Sequence, residues 1–267
     1  MVLRSGDRLR PLGRLSRADD SGVLPRLGRA PSGPLASAIN VFAKDLLART
    51  GTEGVSVILR GSLARGARTA ADVDLALVTD GAATRPPFDP PDLPLPVEIS
   101  VVTRETLLAR PDGAWPRFAL AHCGWTLAGP DLLTDLPPPR LGPVAIAHLR
   151  NVRRWWPVAP LDWTAALAER RQICEWLGKR MIRALAEGEM VRRNVYSRDI
   201  WPCFRIATLA HPRGRAVLRH IALQAVAPDG RPETLSRMTV AARPLLERAY
   251  RVHLGRPLRL PSKRPFP

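Results

Sequence analysis

Val57-Ile58-Leu59-Arg60-Gly61-Ser62-Leu63-Ala64-Arg65-Gly66 runs, after five further residues, into Asp72-Val73-Asp74-Leu75-Ala76-Leu77. The apolar, partly β-branched runs on either side predict two strands, and the glycines and serine between them predict a tight loop. Alternate side chains of a strand share a face, so Asp72 and Asp74 project together while Val73 and Leu75 point the other way. Two adjacent carboxylates repel unless a cation offsets them, and oxygen donors of this kind suit Mg²⁺, which keeps waters and phosphate oxygens in its shell. Gly61 lets the backbone approach a phosphate closely, and Ser62 adds a hydroxyl. Glu98, in Val97-Glu98-Ile99-Ser100-Val101-Val102, alternates with apolar neighbours and offers a third carboxylate, enough for two ions. Plainer readings stand beside these. The aspartates could be a solvated pair at a sheet edge, Ser62 a turn-former or helix cap, and Glu98 a surface carboxylate, with Asp92 as the alternative third acid.

Outward from this stretch, Leu35, Ile39, Phe42, Ala43, Leu46 and Leu47 recur at helical spacing until Gly51. Val97–Val102 is a third strand, Thr103 opens a helix with Glu105 in its first turn, and Trp125–Gly129 is a weaker fourth strand. Pro137-Pro138-Pro139 breaks the chain near residue 140. Beyond it strand signals cease, and helices are expected at about 143–156, 162–187, 196–210, 213–226 and 233–254, set apart by prolines and Gly188. Residues 1–34, rich in Arg, Gly, Pro and Ser without any period, read as a disordered basic tail. The expected organisation is therefore a tail (1–34), a small mixed-sheet domain (35–140), an all-α bundle (141–256) and a short C-terminal tail (257–267). The fold class is α+β.

The 267 residues carry a formal charge of +17, and 45% are apolar, which excludes an acidic disordered chain. The charge is uneven: residues 35–140 carry ten basic and twelve acidic side chains, residues 141–267 twenty-four and nine. Cys123, Cys174 and Cys203 are too far apart and too few for a disulfide framework or a zinc site. No apolar run reaches the length of a membrane span, no signal peptide is recognisable, and the cytoplasm is the expected location.

Gly-Ser, then Arg-Gly, then Asp-x-Asp at the head of an apolar strand, with a later carboxylate on another strand, resembles the nucleotidyltransferase superfamily that includes DNA polymerase beta. The resemblance covers residues 35 to about 135 in the family's order of elements, and Leu127-Ala128-Gly129-Pro130-Asp131 resembles a stretch that often closes its minimal bacterial members. Ala71 stands where a serine is usual. The resemblance implies Asp72, Asp74 and Glu98 as catalytic metal ligands for two Mg²⁺ ions, with Gly61, Ser62 and Arg65 at the nucleotide. It implies transfer of a nucleoside monophosphate from an NTP, with ATP the working expectation, to an acceptor hydroxyl, releasing pyrophosphate.

Residues 179–199 resemble, loosely, the helical half of aminoglycoside-type members. On that resemblance Lys179 and Arg183 would reach a triphosphate and Tyr196 would stack on a base or sugar. An exposed basic helix end and a packing tyrosine are the alternatives. Glu175, Glu187 and Glu189 are open as a general base. The favoured acceptor is a small hydroxylated molecule. RNA, as the basic helical half suggests, a protein, or a degenerate nucleotide-binding module without transfer are the alternatives. No membrane partner is expected.

Overall fold

The computed structural model describes residues 13–51, 54–67, 70, 72–81, 93–109, 114–156, 166–258 and 260. Along the chain the elements are β1 (Ser16–Arg17), α1 (Ala36–Thr50), β2 (Gly54–Leu59), α2 (Gly61–Ala64), β3 (Val73–Thr79), β4 (Val97–Thr103), α3 (Arg104–Leu108), α4 (Ala114–Cys123), β5 (Trp125–Ala128), α5 (Ala147–Arg150), α6 (Val152–Trp155), α7 (Leu167–Arg192), β6 (Val195–Tyr196), α8 (Ile200–Ala210), α9 (Arg215–Gln224) and α10 (Pro232–Leu254). They form two compact units, one of Asp20–Arg140 and one of Leu141–Pro267 with Met1–Asp19. The class is α+β, with a small mixed sheet and a helical unit.

The sheet runs β4-β3-β2-β5, with β3 and β4 parallel and β2 antiparallel to both β3 and β5. Both faces are covered, which explains the near-continuous apolar runs of β2 and β3. On one face Val57, Leu59, Val73, Leu75 and Leu77 pack with Ile39, Phe42 and Leu46 of α1. On the other, Ile58, Ala76 and Val78 pack with Leu107, Leu120, Leu132 and Leu136. Gly51 ends α1 at φ 64°, and the Thr103 side chain accepts from the Thr106 amide at 3.0 Å to start α3. Gly129, at φ 81°, has no room for a side chain, because a Cβ would overlap the Val55 carbonyl.

The helical unit gathers α7 to α10 around one core, to which α7 contributes Leu177, Met181 and Leu185. Trp155 and Trp156 belong to that core and offer no exposed aromatic surface. Leu167, the first residue of α7, is exposed.

Three expectations need correction, and one helix is added to them. Residues 13–34 of the tail expected over 1–34 are ordered. Ser16–Arg17 pairs with Val195–Tyr196, Leu24 is only 2% exposed, and the amides of Leu24, Leu27 and Arg29 donate to the carbonyls of Pro139, His122 and Ala64. Such a strap buries single apolar side chains and takes its backbone partners one at a time from a two-residue strand, helix ends and a loop, so it carries no period to read. The C-terminal tail expected from 257 still packs at Leu258 and Leu260, both buried in the helical core. Gly188 does not end α7, which continues to Arg192. A Cβ at Gly188 would overlap the His253 ring, so glycine is there for close packing and the helix bears its modest entropic cost. Finally, α4 was not foreseen, although Phe118, Ala121 and His122 lie at helical spacing and Pro116 sits in its first turn, where proline is tolerated.

Candidate active site

Parallel pairing of β3 and β4 sets Asp74 directly opposite Glu98, and Asp72 precedes β3 on the face of Asp74. Asp72, Asp74 and Glu98 each bring a carboxylate oxygen within 4.8 Å of the others. Asp74 is largely shielded, whereas the Glu98 side chain is 65% exposed. Three hard oxygen donors at this separation, with net negative charge, fit a divalent cation such as Mg²⁺.

Arg60 sits among them and was not singled out in the sequence. Its Nη2 lies 2.8 Å from Glu98 Oε1 and 3.5 Å from Asp74 Oδ1, its Nε donates to the Leu75 carbonyl at 3.3 Å, and its amide donates to the Asp74 carbonyl at 2.9 Å. The signal was there. The β2–β3 register pairs Ile58 with Ala76 and Leu59 with Leu75, so the next residue, Arg60, meets Asp74 on the carboxylate face.

The turn that follows is shaped by the same aspartate. Gly61 has φ 77°, and a Cβ there would overlap the Asp74 carboxylate. Both the backbone sign and the space demand glycine. The leading N–H groups of a helical turn such as α2 have no acceptor within it, and the Ser62 hydroxyl makes no hydrogen bond among the described residues. Arg65 turns back to donate to the Gly61 carbonyl at 2.9 Å and so clamps the turn. From behind, the Arg29 amide holds the Ala64 carbonyl, giving the N-terminal strap a role in fixing this loop. At the other end of the motif, Asp131 accepts from Thr126 Oγ1 at 2.6 Å and from the Leu133 amide at 3.2 Å, which makes it a turn-forming carboxylate. Asp92 and Ala71 lie outside the described residues.

Lys179, Arg183 and Tyr196 belong to the helical unit. Lys179 pairs with Glu175 at 2.5 Å, and Arg183 Nε donates to the Arg198 carbonyl at 3.0 Å. Tyr196 is 1% exposed and so offers no ring face for stacking on a ligand. Beside them Arg180 lies over the Trp176 ring at 4.2 Å. Its pKa is lowered by burial and by the positive charge of Arg198.

None of the glutamates considered as a base is at liberty. Glu175 is the partner of Lys179. Buried Glu187 accepts from His148 Nδ1 and from the Leu149 amide. Glu189 is gripped by Arg192 and Arg193, whose hydrogen bonds, Arg192 first, hold its carboxyl below the usual range.

No family model matches the chain, and no curated protein matches it in sequence. Among solved structures it is similar to the spectinomycin adenyltransferase AAD(9) of Enterococcus faecialis, a crystal structure with ATP and spectinomycin. The TM-score is 0.51 at 10% identity, over 80% of this chain and 97% of that one. The likeness carries the architecture, and the chain therefore shares the fold of that adenyltransferase.

Proposed function

We propose that the protein is a nucleotidyltransferase that moves a nucleoside monophosphate from an NTP, ATP in the first instance, to a hydroxyl of a small acceptor and releases pyrophosphate. The observation that carries this reading is the convergence of Asp72, Asp74 and Glu98 within 4.8 Å beside a turn that only glycine can make. The fold it shares with an adenyltransferase solved with ATP and spectinomycin supports the nucleotide and the size of the acceptor.

In this reading the three carboxylates hold two Mg²⁺ ions, which when bound lower the pKa of the acceptor hydroxyl and neutralise charge on the leaving pyrophosphate. The Ser62 hydroxyl and the leading amides of α2 bind phosphate oxygens, with Arg65 keeping the turn in shape. Lys179 and Arg183 are the candidate triphosphate contacts of the helical unit, and Lys179 would exchange Glu175 for phosphate. A cytoplasmic setting goes with this reading. All three cysteines are free and buried, and burial pushes the Cys174 thiol up to about 11 and Cys203 up to about 12, so neither is a reactive thiolate.

The test is label transfer from each α-labelled NTP with Mg²⁺, together with pyrophosphate release, in the wild type and in Asp72→Asn/Asp74→Asn. Transfer to a small hydroxylated molecule that falls at least ~100-fold in the double variant is expected. If no label moves to any small molecule, RNA or protein, the enzymatic reading is wrong. One observation favours a second reading, with RNA as acceptor: residues 141–267 carry twenty-four basic against nine acidic side chains. Label found on RNA, with binding that falls steeply with salt, would replace the small acceptor by this one.

A further inference from the structure

We infer that Arg60 is a built-in counter-cation of Asp74 and Glu98 in the carboxylate cluster, and that a divalent cation binds by displacing its guanidinium from these two side chains. Arg60 thereby sets the cation affinity of the site. The inference rests on the functional reading above and concerns a residue that the reading itself does not use.

The guanidinium is placed by the fold. Strand register carries Arg60 opposite Asp74, its amide donates to the Asp74 carbonyl, and its Nε donates to the Leu75 carbonyl. What remains of the fork lies at the oxygens a cation would need, 2.8 Å from Glu98 Oε1 and 3.5 Å from Asp74 Oδ1. The guanidinium brings a positive charge to the cluster. It offsets part of the repulsion among three carboxylates crowded within 4.8 Å.

Arg60 also restrains Glu98, an exposed side chain that makes no other side-chain hydrogen bond among the described residues. Removing Arg60 therefore has two opposed effects. The freed glutamate loses the restraint on one side chain's rotamers, which weakens cation binding slightly. The loss of a full positive charge beside two ligands strengthens it more, because Coulomb terms between contacting charges exceed the rotamer term even at the dielectric of a protein surface. Competition wins.

The experiment is Mn²⁺ binding to the full chain, read from the paramagnetic signal of free Mn²⁺ and by calorimetry, in wild type, Arg60→Met, Arg60→Lys and Asp72→Asn/Asp74→Asn. Thermal unfolding is followed with and without the metal. Arg60→Met should bind Mn²⁺ at least tenfold more tightly than wild type, melt lower without metal, and gain more from Mn²⁺ than wild type does. Arg60→Lys keeps the charge but not the fork spanning two carboxylates, and should bind severalfold more tightly. Unchanged or weaker binding by a folded Arg60→Met overturns the inference. If that variant does not fold in either condition, unchanged binding by Arg60→Lys overturns it. Equal binding by wild type and the Asp72/Asp74 double variant would instead remove the cation site and the functional reading with it. Loss in the double variant with no gain in the Arg60 variants leaves that reading standing and removes only the role of Arg60.

Discussion

The Asp74 carboxylate fills the space that a side chain at Gly61 would need, so the residue that aims at the cation and the residue that opens the phosphate turn are fitted to one another. Gly61→Ala should therefore act twice. At φ 77° an alanine carries strain of about 1–2 kcal/mol, visible as a lower denaturation midpoint. Its methyl also pushes Asp74 out of the cluster, so Mn²⁺ affinity and label transfer should both fall by at least ~10-fold. Native-like metal binding in Gly61→Ala would show that the Asp74 carboxylate has another usable position.

Leu24 tests the N-terminal strap. The side chain is 2% exposed and its amide donates to the Pro139 carbonyl at 2.8 Å. Leu24→Ala should cost about 2–4 kcal/mol, the range for a buried leucine that leaves a cavity, whereas a tail residue would cost nothing. Urea unfolding of the two proteins decides it. Because the same strap reaches the Ala64 carbonyl through Arg29, removal of residues 1–34 should also weaken nucleotide binding.

The sheet unit was legible where periodicity and chemistry agreed. Alternation about Asp72 and Asp74 gave the strand, its buried face and the shared direction of the carboxylates, and the Glu98 strand fell into place by the same rule. What escaped depended on partners distant in the chain. Arg60 reads as the end of an apolar strand until the register with β3 is known. The strap has no period because its hydrogen bonds go to scattered partners, a two-residue strand, the ends of α2 and α4, and a loop. Gly188 reads as a helix stop because only the approach of His253 explains it. Tyr196 was offered to a ligand, whereas pairing of its short strand with Ser16–Arg17 belongs to the packing of the helical unit.

Acid should weaken the helical unit through His211. This residue is 6% exposed, and neither ring nitrogen has a hydrogen-bond partner. Burial, then the positive Arg248 and His253, lowers its pKa from the ordinary 6.5. The unfolded chain takes up the proton near 6.5 while the folded protein resists it. Stability is therefore full above that value and falls as pH drops from 6.5 toward the depressed folded pKa. His148 and His253, also lowered chiefly by burial, add to the same slope. His211→Leu should flatten the decline between pH 7 and 5, and should gain about 1 kcal/mol at neutral pH by removing a buried polar ring without partners. An unchanged pH slope in the variant would mean that His211 is protonated as easily in the fold as out of it.

Gly188 and His253 face each other across α7 and α10, and the pair can be separated by a double-mutant cycle. Alanine is the better helix former by about 1 kcal/mol, so an isolated α7 would gain from Gly188→Ala. In the folded unit the new Cβ meets the His253 ring, and overpacking of that kind costs about 1–3 kcal/mol. The second effect should win, and Gly188→Ala alone should lower stability. In a His253→Ala background the obstacle is gone and the helix term remains, so the same substitution should turn neutral or stabilising. A coupling of at least ~1 kcal/mol between the two sites is the expected result. Additive effects would show that the ring swings aside freely and that glycine is not required by this contact.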